Sequence, residues 1–293
     1  MKWKRDFGLT LRSLLTGFLL LIVYLIFLSV LSVLFPELGV SGMFLVVGLF
    51  AFVQYFFSDK LVLWSTGARI VEEDEYPELH AMVERLCAEA DLPKPKVAVM
   101  QSPVPNAFAT GRGPSSAVVA VTDSIMRLLN KEELEAVVAH ELSHVKNRDV
   151  LTMTVASFVS MLAFLVMRYA IFFSLGNRRD SGPIMLAWIV SILVWIVSTL
   201  LIRTLSRYRE FAADRGSAYI TGNPRALISG LYKISGRMDH IPPEKKQEVE
   251  GANAFFIIPA LSGQSLMELF STHPPLEKRI AALEELEAEI RGY

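Results

Sequence analysis

One cysteine in 293 residues, Cys87, leaves no partner for an intrachain disulfide and no thiolate cluster for a metal. It reads as a small, half-buried residue in a polar helical stretch. Five histidines are also few, so a pair set at a ligand spacing carries weight. The net charge is −1, which denies the chain a general basic field, and no nucleic-acid partner is expected. Charged residues are scarce at 20%, while hydrophobic residues reach 52% and the mean hydropathy is +0.40. That balance points towards a lipid bilayer.

The hydrophobic residues concentrate in four runs. Leu14–Phe35 and Val40–Phe57 lie near the start, parted by PELG; Leu151–Phe173 and Pro183–Ile202 lie mid-chain, parted by SLGNRRDSG. Each approaches the ~20 residues that cross ~30 Å of hydrocarbon, so four transmembrane helices are expected. The second run is the shortest and carries Gly42, Gly48 and Gln54, which predicts a tilted or partly interfacial helix. Basic residues set the expected orientation. Lys2, Lys4, Arg5 and Arg12 precede the first run, and Lys60 and Arg69 follow the second. Lys146 and Arg148 precede the third, and Arg203, Arg207 and Arg209 follow the fourth. The opposite side has only Arg178 and Arg179, accompanied by Asp180. Both termini and both polar segments are therefore expected on the cytoplasmic side.

This layout puts two leading spans in residues 1–57, a polar segment at 58–150, a membrane hairpin at 151–202 and a second polar segment at 203–293. Antiparallel spans bring the polar segments together, so they are expected to form one cytoplasmic unit. In it Leu79, Met82, Val83 and Leu86 repeat with helical spacing, ended by Leu92–Pro93. KVAVM, NAFATG and SSAVVAV read as about three short strands, broken by QSPVP and GRGP. Asn130 and Glu133 form an expected capping box at the start of the next helix. Residues 131–155 hold neither proline nor glycine, so one unbroken helix is expected to run from Lys131 into the third span. A last helix, begun by Pro274–Pro275, carries Leu276, Ile280, Leu283 and Leu286 on one face. The expected fold class is mainly α, with four transmembrane helices and an α+β head containing a small β-sheet.

The chemistry sits in VVAHELSHVKNRD, residues 137–149. His140 and His144 are one helical turn apart on one face, where two imidazoles can share a divalent ion such as Zn2+. Glu141 is turned by about 100° from His140. It falls beside such an ion rather than on it, a position that suits a general base. A catalytic zinc takes a third protein ligand, and no further histidine lies at close spacing. RYREFAADRGSA offers Glu210 as that ligand, with Asp214 one turn later to accept the ring N–H of a ligand histidine. The competing reading of this pair is an exposed acidic face partnered by Arg207, Arg209 and Arg215. Along straight helices, His144 stands about 10 Å beyond the start of the third span and Glu210 about 12 Å beyond the end of the fourth, so extensions of the two spans can meet.

The order of two spans, NAFATG, HELSH, two further spans, REFAADRGSA and STHPPLEKRI resembles the HtpX-type membrane zinc metalloproteases. These are gluzincins related to the CAAX prenyl endoproteases. The likeness covers most of the chain and implies a zincin-like catalytic domain in a multi-pass protein of the plasma (inner) membrane. It implies one Zn2+ held by His140, His144 and Glu210, with Glu141 as catalytic base and Asp214 and Asp149 supporting the ligands. Asn106, Ala107, Phe108 and Ala109 match the strand that lines the cleft; by their own pattern they also read as an interior hairpin. His273 matches a catalytic donor to the oxyanion, and a structural cap is the open alternative. Arg279 matches an arginine expected to anchor a buried carboxylate. The activity implied is endoproteolysis of membrane or misfolded proteins in membrane protein quality control. The alternative is a non-catalytic membrane scaffold that keeps zinc as a clip.

Overall fold

The computed structural model describes residues 6–34, 62–176, 182–241 and 273–291, with single positions at 42, 45, 48, 49, 52, 53, 56 and 60. The expected second span, Val40–Phe57, lies outside the described residues apart from those positions.

The chain opens with a long helix, α1 (Phe7–Leu34). Two more long helices follow in the second half: α5 (Asp149–Gly176) and α6 (Gly182–Thr221). Among the described residues these three are long and apolar enough to cross a membrane. They pack together through Leu20, Ala156 and Leu205, and again through Phe27, Phe158, Ala163 and Val194. The Tyr24 hydroxyl of α1 donates to the Ala156 carbonyl of α5. Their outer faces carry exposed Leu14, Phe18, Leu25, Leu186 and Leu193, a surface that water would not stabilise.

The remaining elements form a head. β1 (Arg69–Ile70) and α2 (Pro77–Ala90) lead into β2 (Lys96–Met100), β3 (Ala107–Thr110) and β4 (Val118–Thr122). The sheet order is β1-β2-β4-β3, with β2 and β4 parallel and both outer pairings antiparallel. Among the described residues the sheet thus has four strands rather than about three; β1 is two residues long, too short for alternation to reveal. α3 (Asp123–Leu128) precedes α4 (Lys131–Asn147), and α7 (Pro224–Asp239) and α8 (Leu276–Arg291) complete the head.

α4 is the axis of the head. Leu134, Ala136, Val137, Val138, Ala139, Leu142 and Val145 are buried all round it, among side chains from α2, the sheet, α7 and α8. Small residues let α6 approach closely, and Ser217 donates to the Ala136 carbonyl at 2.6 Å. The expected capping box is present: Asn130 accepts from the Glu133 amide, and Glu133 accepts from that of Asn130.

The expected continuation of this helix into the third span does not form. α4 stops at Asn147, because Arg148 takes a left-handed conformation (φ 55°, ψ 40°) and its amide bonds back to His144 and Val145. α5 then begins in a new direction at Asp149. A left-handed non-glycine residue costs about 1–2 kcal/mol. The ion pairs that the turn allows Asp149 to make, described below, offset that cost. By contrast α6 does run unbroken for 40 residues, about 60 Å, from the apolar layer into the head.

Glu133 shows how the head is fastened. Besides capping α4, this buried carboxylate accepts from Ser229 (2.6 Å) and Lys233 (2.7 Å) of α7. Burial works against its charge, yet Lys233, Ser229 and the Asn130 amide outweigh it and hold its pKa below the usual glutamate range. Its contribution is therefore present above the unfolded value of about 4.3 and is lost as pH falls through the lower folded value. Glu133→Ala should lower stability by about 2 kcal/mol, because Lys233 can re-enter water once its partner is gone. Chemical unfolding in detergent micelles at pH 7 checks the size, and a variant within 0.5 kcal/mol of wild type, roughly the effect of an ordinary surface change, would contradict it.

Candidate metal centre

α4 presents His140 and His144 on one face, and α6 presents Glu210 and Asp214 on the face opposite. His140 Nε2 lies 3.2 Å from His144 Nε2 and 3.6 Å from Glu210 Oε2, and His144 Nε2 lies 3.4 Å from Glu210 Oε1. The three side chains thus offer donor atoms all within 4.8 Å of one another. A tetrahedral ion with bonds of about 2.05 Å holds its ligand atoms about 3.3 Å apart. The donor set fits a small dication such as zinc by both spacing and chemistry.

The other ring nitrogens are turned outward onto carboxylates. His140 Nδ1 lies 2.9 Å from Asp214 Oδ1, and His144 Nδ1 lies 2.6 Å from Asp149 Oδ2. Each pair favours a proton on Nδ1 and leaves the Nε2 lone pair facing the shared point. The acids are held in turn. Arg279 of α8, fully buried, donates to both Asp214 oxygens at 2.6 and 2.8 Å and stands 3.6 Å from Glu210 Oε2. Arg209 Nε stands 2.8 Å from Asp149 Oδ1. The bend at Arg148 makes the His144 contact feasible: on a straight helix residues five apart point about 140° from each other.

Charge supports the same reading. Asp149, Glu210, Asp214 and Glu141 are buried with Arg209 and Arg279 among them. Four carboxylates against two guanidiniums leave two negative charges, a combination that is costly without a cation. Burial opposes protonation of His144, but Asp149 and Glu210 override it and raise its pKa to about 10. His140 is raised too, Asp214 and Glu210 outweighing burial. A pocket that stabilises positive charge at these nitrogens is electrostatically suited to an ion.

Glu141 points elsewhere on α4. Burial raises its carboxyl pKa, the nearby imidazoles pull it back down, and the Ala109 amide of β3 hydrogen-bonds it. Among the described residues β3 is an edge strand. Asn106 accepts from the Thr122 amide, so by antiparallel alternation Asn106, Phe108 and Thr110 face β4 with their main-chain groups. Those of Ala107 and Ala109 face away, on the side of α4. His273, buried just before α8, has Nδ1 3.1 Å from Glu210 Oε2. The structure therefore brings His140, His144, Glu210, Asp214, Asp149 and His273 into one cluster, with Glu141 and β3 at its flank. From the sequence Arg209 was read as a basic flank of the fourth run and as a surface partner for Glu210 or Asp214, not as a partner of Asp149. Its place immediately before Glu210, as the one arginine adjoining the expected third ligand, was the available signal.

The chain matches the model of peptidase family M48 over residues 73–287. It is 60% identical over 292 residues to Protease HtpX homolog 2 of Methanosarcina acetivorans, covering 99% of both chains. To the Protease HtpX homolog of Moorella thermoacetica it is 56% identical over 292 residues, covering 97% of this chain and 96% of that one. Among solved structures it resembles S. mikatae Ste24p, with a TM-score of 0.56 and 17% identity over 95% of this chain and 67% of that one, a likeness of fold.

Removing a carboxylate behind a ligand histidine should weaken the ligand without deleting it. Asp214→Asn and Asp149→Asn are each expected to lower metal affinity by about 10–100-fold. Competition against a chelator of known affinity measures this, and affinities within twofold of wild type would show that these acids do not support the imidazoles.

Proposed function

The chain belongs to peptidase family M48, and from that premise we propose that it is a membrane-integrated zinc endopeptidase acting on membrane or unfolded proteins at the cytoplasmic membrane face. The observation that carries the reading is the meeting of His140, His144 and Glu210 at tetrahedral donor spacing beside a buried glutamate. A metalloprotease family supplies the hydrolytic class; this donor set supports zinc as the ion. The proposed layout is a catalytic unit made of residues 58–150 and 203–293, carried by two spans in 1–57 and a hairpin at 151–202.

In this reading His140, His144 and Glu210 hold the ion, and zinc when bound supplies Lewis acidity to water and to the peptide carbonyl. Glu141 takes a proton from the attacking water and later delivers it to the leaving amine. Its raised pKa favours the delivery, while the neighbouring imidazoles keep the base form accessible. The imidazole of His273 donates to the oxygen on which negative charge develops. An extended peptide adds to the outward side of β3, where Ala107 offers main-chain groups and Phe108 and Asn106 fix the strand against β4. Because α5 and α6 lead directly from apolar helices to the cluster, cytoplasmic loops and tails of membrane proteins are the substrates within nearest reach. That supports a role in membrane protein quality control.

Two outcomes test the proposal. Glu141→Gln should keep its metal, measured by elemental analysis, while casein hydrolysis falls by about 100-fold or more; full activity in the variant would exclude the base assigned here. With the reconstituted wild type, an unstable membrane protein should be cleaved faster than a soluble unfolded one of similar length. Equal rates would remove the membrane preference and leave the peptidase reading standing.

A further inference from the structure

A cavity of about 690 Å³ lies outside the metal cluster, where α1, the α4–α5 turn and α6 converge. Its walls change character with height. Leu14 and Phe18 of α1 and Leu205 of α6 form one part, and the packed cluster that Leu20 and Leu205 share sets their common level. Ten residues on from Leu205, about 15 Å along α6, Arg215 also lines the cavity, 3.8 Å from Asp6 of α1 and 3.6 Å from Glu289 of α8. Between these levels the α4–α5 turn contributes Lys146 and Arg148, and α6 contributes Arg209. The lining holds four basic side chains against two acids, Asp6 and Asp149. Asp149 is already taken by Arg209, and Arg148 is exposed with no acidic partner among the described residues.

The cavity is thus apolar where the three long helices begin their lipophilic stretches and positive where they leave them. Arg209 and Arg215 are met by acids and Lys146 donates to the Ala90 carbonyl, so the positive charge left over is that of Arg148. Resting on the membrane reading above, we propose that this cavity is a binding site for one anionic phospholipid, with its phosphate at Arg148, beside Lys146, and its chains against Leu14, Phe18 and Leu205. A phosphate diester supplies the missing negative charge, and its attached chains match the apolar end as a free anion would not. The volume is too small for a folded partner and ample for a headgroup with the first carbons of its chains. Arg209 borders this site and holds Asp149 on His144, so the lipid and the metal ligands share a neighbour.

Two substitutions probe the two ends. Arg148→Glu reverses charge at the headgroup end. Gly17→Phe fills the apolar end, since Gly17 lines the cavity and nothing lies within 4 Å of where its Cβ would be. The full chain with its metal would be purified in a nonionic detergent and mixed with phosphatidylglycerol, phosphatidylcholine or inorganic phosphate, reading bound lipid by native mass spectrometry. Phosphatidylglycerol should be retained at least fivefold better than phosphatidylcholine, and each variant should reduce that preference. Unchanged metal content shows that a variant is folded; if Arg148→Glu fails that check, Gly17→Phe decides alone. Equal retention of the two lipids overturns the proposal. So does competition by inorganic phosphate at equal concentration, or retention by Gly17→Phe equal to wild type. Resistance of the chain to alkaline extraction from phosphatidylcholine vesicles tests the membrane reading by itself, so the two can fail separately.

Discussion

The structure depends on one continuous ion-pair chain buried between four helices. It runs from Arg279 through Asp214 to His140, across Glu210 to His144, and on through Asp149 to Arg209. None of these groups is stable alone in an interior, because desolvating one charge costs more than most packing contacts return. Each is tolerable because the next one is in place. The chain also crosses from α8 to α6 to α4 and the start of α5, so the same contacts that satisfy the charges hold those helices at the distance a small dication needs.

That constraint explains two features of the backbone. α6 is long and unbroken, so it brings Glu210 and Asp214, which stand one turn apart, to the level of the imidazoles while its other half packs among apolar helices. α4 is instead broken from α5, and the left-handed Arg148 folds Asp149 back under His144. A straight helix would satisfy the backbone equally well and leave His144 without an acid behind its ring. The local strain and the geometry of the cluster are therefore one compromise, settled in favour of the cluster. Around it, α4 is buried on every side, which keeps Glu141 out of water and shifts its carboxyl towards the protonated form.

Much of this was legible without coordinates. The two histidines and Glu141 follow from a spacing of four on one helix, and Glu210 and Asp214 from a second such pair. Leu79, Val83 and Leu86, and later Ile280, Leu283 and Leu286, turn out to be buried on the faces their periodicity assigns. The capping box at Asn130 and Glu133 is a three-residue signal and forms as read. The break at Arg148 was not legible, since neither glycine nor proline marks it and its compensation comes from Arg209, sixty-one positions away. β1 escaped for a similar reason: two residues carry no period, and only pairing with β2 makes them a strand.

The sequence by itself determined which residues share a helix face and which runs avoid water, because both depend on neighbours within a turn or two along the chain. Only the tertiary structure decided which acid stands behind which imidazole, which arginine secures each acid, and which strand lies at the sheet edge beside Glu141. Those choices are made by contacts between segments far apart in the chain. A spacing encodes the direction in which a side chain points, and it carries no information about what comes to meet it.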